Sequence, residues 1–177
     1  FARSALAALH AAGHEIVCHY RAPQLNSPQE DRLEFWLGDL NDVHNLAKRL
    51  QSIDSVIHCA AEMRLWNSEK TLHETNVLMT KNILESARLA GIKQFIYMSD
   101  ASIAKHPVSP NLDVSEARPL PVLQRFSYSH SKSQAEQFVM DAGDDALRII
   151  CLRPASVWGK GDLVDQMLGK AADLNKF

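Results

Sequence analysis

The chain has 177 residues, 46% hydrophobic and 23% charged, with a formal net charge of -2. That is the composition of one ordinary globular domain, and it excludes collagen-like, disordered and disulfide-scaffold classes. The 19 basic and 21 acidic residues nearly balance, leaving no electrostatic footprint for nucleic acid or an anionic membrane. No apolar run approaches the roughly 18 residues of a membrane span. Cys18, Cys59 and Cys151, odd in number and without a CxxC pair, fit a reducing cytoplasm.

Helical and strand-like segments alternate along the chain. Ser4 to Ala12 reads as a helix stopped by Gly13, followed by a strand over Glu15 to Tyr20 (EIVCHY). Arg21 to Glu30, with Pro23 and Pro28, reads as a loop, and Leu33 to Leu37 (LEFWL) as a second strand. With Asn41 as N-cap, Val43, Leu46, Ala47 and Leu50 make an amphipathic helical stripe. Ser55 to Cys59 is a third strand. Glu69 to Ala90 is a long helix with Leu72, Met79, Ile83 and Ala87 roughly on one face, ended by Gly91. Gln94 to Met98 is a fourth strand, followed by a proline-rich loop. A helix over Tyr128 to Ala142, a fifth strand over Leu147 to Leu152 and a helix over Leu163 to Leu174 complete the pattern. Short apolar strands separated by helices imply an α/β fold with a doubly wound parallel sheet, whose ligands sit beyond the strand C-termini. The chain opens directly into a helix and closes as one ends. The sequence therefore reads as a fragment lacking the first strand and the C-terminal substrate region.

Tyr128-Ser129-His130-Ser131-Lys132 spells YxxxK. On a helix this spacing sets an ammonium beside a phenol, and a nearby cation favours the phenolate. Such a tyrosine can move a proton while hydride passes to or from a nicotinamide. The histidines show no metal-ligand spacing with a carboxylate or cysteine cluster, so no metal is expected. His58, at a strand end among apolar neighbours, reads as a structural histidine.

YxxxK lies between a strand ending Met98-Ser99-Asp100-Ala101-Ser102 and one running into Leu152-Arg153-Pro154-Ala155. Gly38-Asp39-Leu40, His58-Cys59-Ala60-Ala61 and Thr75-Asn76-Val77 precede it in order. On these residues the chain resembles the cofactor-binding part of an extended short-chain dehydrogenase/reductase, in the NAD-dependent epimerase/dehydratase and 3β-hydroxysteroid-dehydrogenase-like branch. The resemblance implies a partial NAD(P)-binding domain of Rossmann type over residues 1–177. It implies Tyr128 as catalytic acid/base, and Lys132 as the residue that holds the nicotinamide ribose and lowers the Tyr128 pKa. Asp39 would accept from the adenine amino group, with Leu40 beside the ring. Cys59, Ala60 and Ala61 would let the dinucleotide pass close to the strand end, and Asn76 would order the surrounding loops. Pro154 and Ala155 would lie against the nicotinamide.

Two departures stand out. The family's GxxGxxG phosphate turn is missing, with Arg3 at its third glycine position, so the fragment itself should bind dinucleotide poorly and be inactive. Asp100 stands where the family usually has the catalytic Ser or Thr; an ionised Asp accepts and cannot donate, so either Asp100 is protonated by burial and donates itself, or Ser99 or Ser102 supplies the hydroxyl. The strand end His19-Tyr20-Arg21 lacks the acid that reads a ribose 2′-OH, so Arg21 points to NADP over NAD. The expected function is hydride transfer between nicotinamide and a small-molecule secondary alcohol or ketone, steroid-like or other. The alternatives are a sugar-nucleotide epimerase/dehydratase with tightly held NAD, and a non-catalytic dinucleotide-sensing module. A homodimer through the two long helices is also implied.

Overall fold

In a computed structural model the chain is described over residues 2–20, 31–63, 67–104, 115–117, 127–155 and 157. Helix α1 (Ala2–Ala11) leads into β1 (Ile16–Tyr20), which pairs in parallel with β2 (Leu33–Leu37). Helix α2 (Val43–Leu50) precedes β3 (Ser55–His58). Next come α3 (Glu69–Leu72), a π-helical segment (His73–Leu78) and α4 (Met79–Leu89) as one continuous rod. β4 (Gln94–Met98), a 3₁₀ turn (Ala101–Ala104), α5 (Tyr128–Asp141) and β5 (Arg148–Leu152) complete the described elements. The expected helix over Leu163 to Leu174 lies outside the described residues.

All strand pairs are parallel, as the apolar strand pattern requires, but they form two sheets, β1-β2 and β3-β4-β5. Among the described residues no strand bridges β1 and β3, so the sheet is not continuous. The register aligns Val56, Phe95 and Ile149 on one face, followed by His58, Tyr97 and Cys151. That face packs under α2, α4 and α5, through Leu46, Met79, Ile83, Leu84, Ala87, Ala135 and Val139. Burying those side chains is the main stabilising term of the three-stranded half.

Caps and turns mark the ends. Asp42, not Asn41, caps α2: its carboxylate accepts from the Asn45 amide at 3.1 Å. Asn41 is one residue too early and is held by Asp39 instead. Ser127 caps α5 by accepting from the His130 amide at 3.0 Å, which fixes Tyr128 as the first residue of the helix. Gly13 and Gly91 take the left-handed conformation at φ 91° and 74°, where a Cβ would be strained.

Candidate active site

The carboxyl ends of β3, β4 and β5 carry most of the sequence-predicted residues. Two backbone hydrogen bonds extend the β4-β5 pairing past the strands: Ser99 N donates to Leu152 O (2.8 Å) and Ala101 N to Pro154 O (2.9 Å). They bring Ser99 and Asp100 alongside Arg153 and Pro154. Asp100 Oδ1 accepts from the Ser102 amide at 2.7 Å, turning the chain into the 3₁₀ segment. The Ser102 and Ser129 hydroxyls, 2.7 Å apart, tie that segment to the first turn of α5. Ser99 is 4% exposed, and its hydroxyl meets no hydrogen-bond partner among the described residues.

Tyr128 therefore faces Asp100. Burial first, then the Asp100 charge and a hydrogen bond to it, push the phenol above its ordinary value of 10. Lys132, expected to lower it, is not among the causes of this shift. The YxxxK spacing does place both residues on α5, but the Lys132 ammonium runs inward. Its Nζ donates to the Met98 carbonyl at 2.5 Å and lies 4.2 Å from the centre of the Tyr97 ring. Lys132 is only 2% exposed, and burial drops its pKa to about 8 against the opposing pull of Asp100, Cys59, Glu136 and Cys151.

Asn76 sits in the π-helical segment, 1% exposed, with all its side-chain bonds to neighbouring elements. Its Oδ1 accepts from Glu62 N (2.7 Å), while Nδ2 donates to Glu62 O (3.0 Å) and to Ser131 Oγ (2.9 Å). It thus couples the loop carrying Cys59, Ala60 and Ala61 to α5. Burial raises the Cys59 thiol pKa, so the thiol stays protonated at neutral pH. Thr80 gives its one proton to Asn76 O at 2.7 Å, so it accepts from His58 Nε2 at 2.9 Å. His58 is a neutral donor, its pKa driven to about 3 by burial and then by Lys132.

Asp39 and Leu40 lie apart, in a cleft of about 630 Å³ lined also by His19, Gly38, Thr75 and Asn82. His19 Nε2 donates to Gly38 O at 2.8 Å. A Cβ on Gly38 would sit 2.0 Å from the Trp36 ring, so the close approach of that indole demands glycine. Asp39 Oδ1 accepts from the Asn41 amide at 2.8 Å, leaving Oδ2 without a partner among the described residues. Arg21 and the Arg3 side chain lie outside what is described.

One residue escaped the sequence reading. Glu136, 2% exposed, is paired with Arg153 at 2.5 Å. Its position four residues after Lys132, on the same helical face, was the available signal. Among the described residues no group of three His, Cys, Asp or Glu could hold a metal, and no helix is long and apolar enough to cross a membrane.

Comparison with known proteins gives this arrangement a family. The chain is 32% identical over 157 residues to a 2-alkyl-3-oxoalkanoate reductase of Stenotrophomonas maltophilia, covering 85% of this chain and 46% of the relative. It is 31% identical over 150 residues to 3beta-hydroxysteroid-dehydrogenase/decarboxylase isoform 2 of Arabidopsis thaliana, covering 82% of this chain and 27% of that protein. The chain thus spans less than half the length of these relatives. Among solved structures, MoeE5 in complex with UDP-glucuronic acid and NAD superposes with a TM-score of 0.79 at 26% identity, over 95% of this chain and 55% of that one. The fold is the Rossmann fold of NAD-binding epimerases and dehydratases. The model of the NAD dependent epimerase/dehydratase family matches residues 2–174, and the chain belongs to that family.

Proposed function

We propose that the chain is the dinucleotide-binding part of an NAD(P)-dependent oxidoreductase of the extended short-chain type, acting on a secondary alcohol or ketone with Tyr128 as the acid/base. The observation that supports this most is the gathering of Tyr128, Asp100, Lys132 and Pro154 at the carboxyl ends of parallel strands, where such sheets bind ligands. The residues present fit a dinucleotide. The Asp39 cleft offers a carboxylate oxygen, without a partner among the described residues, for an adenine amino group, and the small Ala60 and Ala61 follow the β3 strand end.

When bound, the nicotinamide supplies or takes up the hydride. The raised pKa keeps the Tyr128 Oη proton in place at neutral pH, so in the reductive direction Tyr128 gives it to the substrate carbonyl oxygen. Asp100 accepts from the phenol and orients it, whereas the family's Ser or Thr at that place donates to the substrate oxygen; the adjacent hydroxyl is that of Ser99, buried and without a hydrogen-bond partner among the described residues. Lys132 uses one of its three donors on Met98 O, and another would reach the nicotinamide ribose. Arg21, by its place in the sequence after the strand end, would favour NADP.

Tyr128→Phe in the full-length protein, assayed on a panel of secondary alcohols and ketones, tests the assignment. Turnover should fall by about 10²–10⁴-fold, the usual contribution of a positioned acid/base. Turnover within a few-fold of wild type would contradict it. A second reading, a sugar-nucleotide epimerase or dehydratase, draws on the likeness to MoeE5. Dinucleotide that co-purifies and survives dialysis would favour it.

A further inference from the structure

Resting on the dinucleotide reading above, we infer that Glu136 is a positioning residue that acts through Arg153 to fix the Arg153-Pro154 segment and so shape the nicotinamide end of the site. Arg153 Nε meets both carboxylate oxygens, at 2.9 and 3.2 Å, and its Nη2 meets Oε1 at 2.5 Å. The guanidinium is thereby held in one plane, and Pro154 is the next residue along the chain. A third nitrogen, Nη1, donates to Glu116 O at 3.4 Å.

The pair closes a ring of contacts around the candidate site. From Glu136, one helical turn back along α5 leads to Lys132, whose ammonium holds Met98 O. The adjoining residues Ser99 and Ala101 donate to Leu152 O and Pro154 O, and Arg153 between them returns to Glu136. Asp100 and Pro154, which flank the proposed nicotinamide position, are held by these contacts. Stability alone is a poor reason for the pair, because an apolar pair of similar volume stabilises as well or better than a buried ion pair. What a bidentate fork adds is orientation. The Asp39 cleft lies outside the ring, so the adenine end should not depend on it.

The test measures two equilibrium constants on the full-length protein: for the reduced dinucleotide that the wild type binds, and for ADP-ribose, which lacks the nicotinamide. Glu136→Gln should weaken dinucleotide binding about tenfold while leaving ADP-ribose within about twofold, a coupling of ordinary size. Arg153→Lys, which keeps the charge but loses the fork, should act in the same direction by about threefold, and it decides the matter if Glu136→Gln does not fold. Equal weakening of both ligands would mark a merely structural role and overturn the inference, as would no change in either. Wild-type protein that binds neither ligand would instead refute the dinucleotide reading itself, and the inference with it.

Discussion

The Lys132 ammonium is bonded to the Met98 carbonyl, 2.5 Å away, rather than to the phenol of Tyr128 four residues before it. Burial drops its pKa from 10.5 to about 8. Between those values the folded chain releases a proton that the unfolded chain keeps, so this group's contribution to stability rises with pH. At neutral pH its burial penalty is present in full. Lys132→Met should therefore stabilise the protein at pH 7 by about 1–3 kcal/mol while weakening dinucleotide binding. Urea midpoints at neutral pH and at about pH 9.5 check this, because the advantage should shrink at the higher value.

Asp100 acts on Tyr128 in the opposite sense to a cation, and removing its charge should show it. Asp100→Asn should move the phenol pKa down, leaving the larger effect of burial in place. In the reductive direction a protonated phenol is required, so the basic limb of kcat/KM should shift to lower pH in the variant. An unmoved limb would disconnect the two residues.

His58 predicts an acid limb of stability. It is neutral in the fold down to about pH 3 but titrates near 6.5 when unfolded. The unfolded chain binds the extra proton between those values, so stability falls as pH drops from 6.5 towards 3, by at most about 1.4 kcal/mol per unit from this group. His58→Leu should remove that component, leaving Thr80 still bonded to Asn76 O. Parallel denaturation curves for wild type and variant across that range would contradict the assignment.

Much of this was legible because strands and caps have local signatures. Leu33–Leu37 and Gln94–Met98 were placed to the residue, and Gly13 and Gly91 stop their helices as expected. The sequence reads Glu69 to Ala90 as one plain helix, yet the rod ends at Leu89 and carries a π turn at His73–Leu78. Hydrophobic spacing cannot reveal that turn, and the bonds Asn76 makes from it cross the fold to partners 14 and 55 residues away. For the same reason the YxxxK spacing put Tyr128 and Lys132 on α5 but could not say where the ammonium would point. That was decided by Met98 and Tyr97 on the neighbouring strand. Glu136 was overlooked because its partner Arg153 is 17 residues distant.

Asn76 should be expensive to lose. Asn76→Ala removes three hydrogen bonds, from the Glu62 amide, to the Glu62 carbonyl and to the Ser131 hydroxyl, which keeps its donation to Tyr128 O. A loss of about 2–4 kcal/mol is expected, read from denaturant midpoints. Proteolysis in the 59–63 loop should rise in parallel if the side chain is what orders that segment.

The most direct test of the whole account is a crystal structure of the full-length protein with its dinucleotide bound. The account predicts the nicotinamide ring against Pro154, Tyr128 Oη within about 5 Å of the ring's reactive carbon, and Lys132 Nζ at the adjoining ribose, the distances that joint hydride and proton transfer require. A ring lodged elsewhere, or a phenol turned away from it, would contradict the proposed chemistry and leave only the fold.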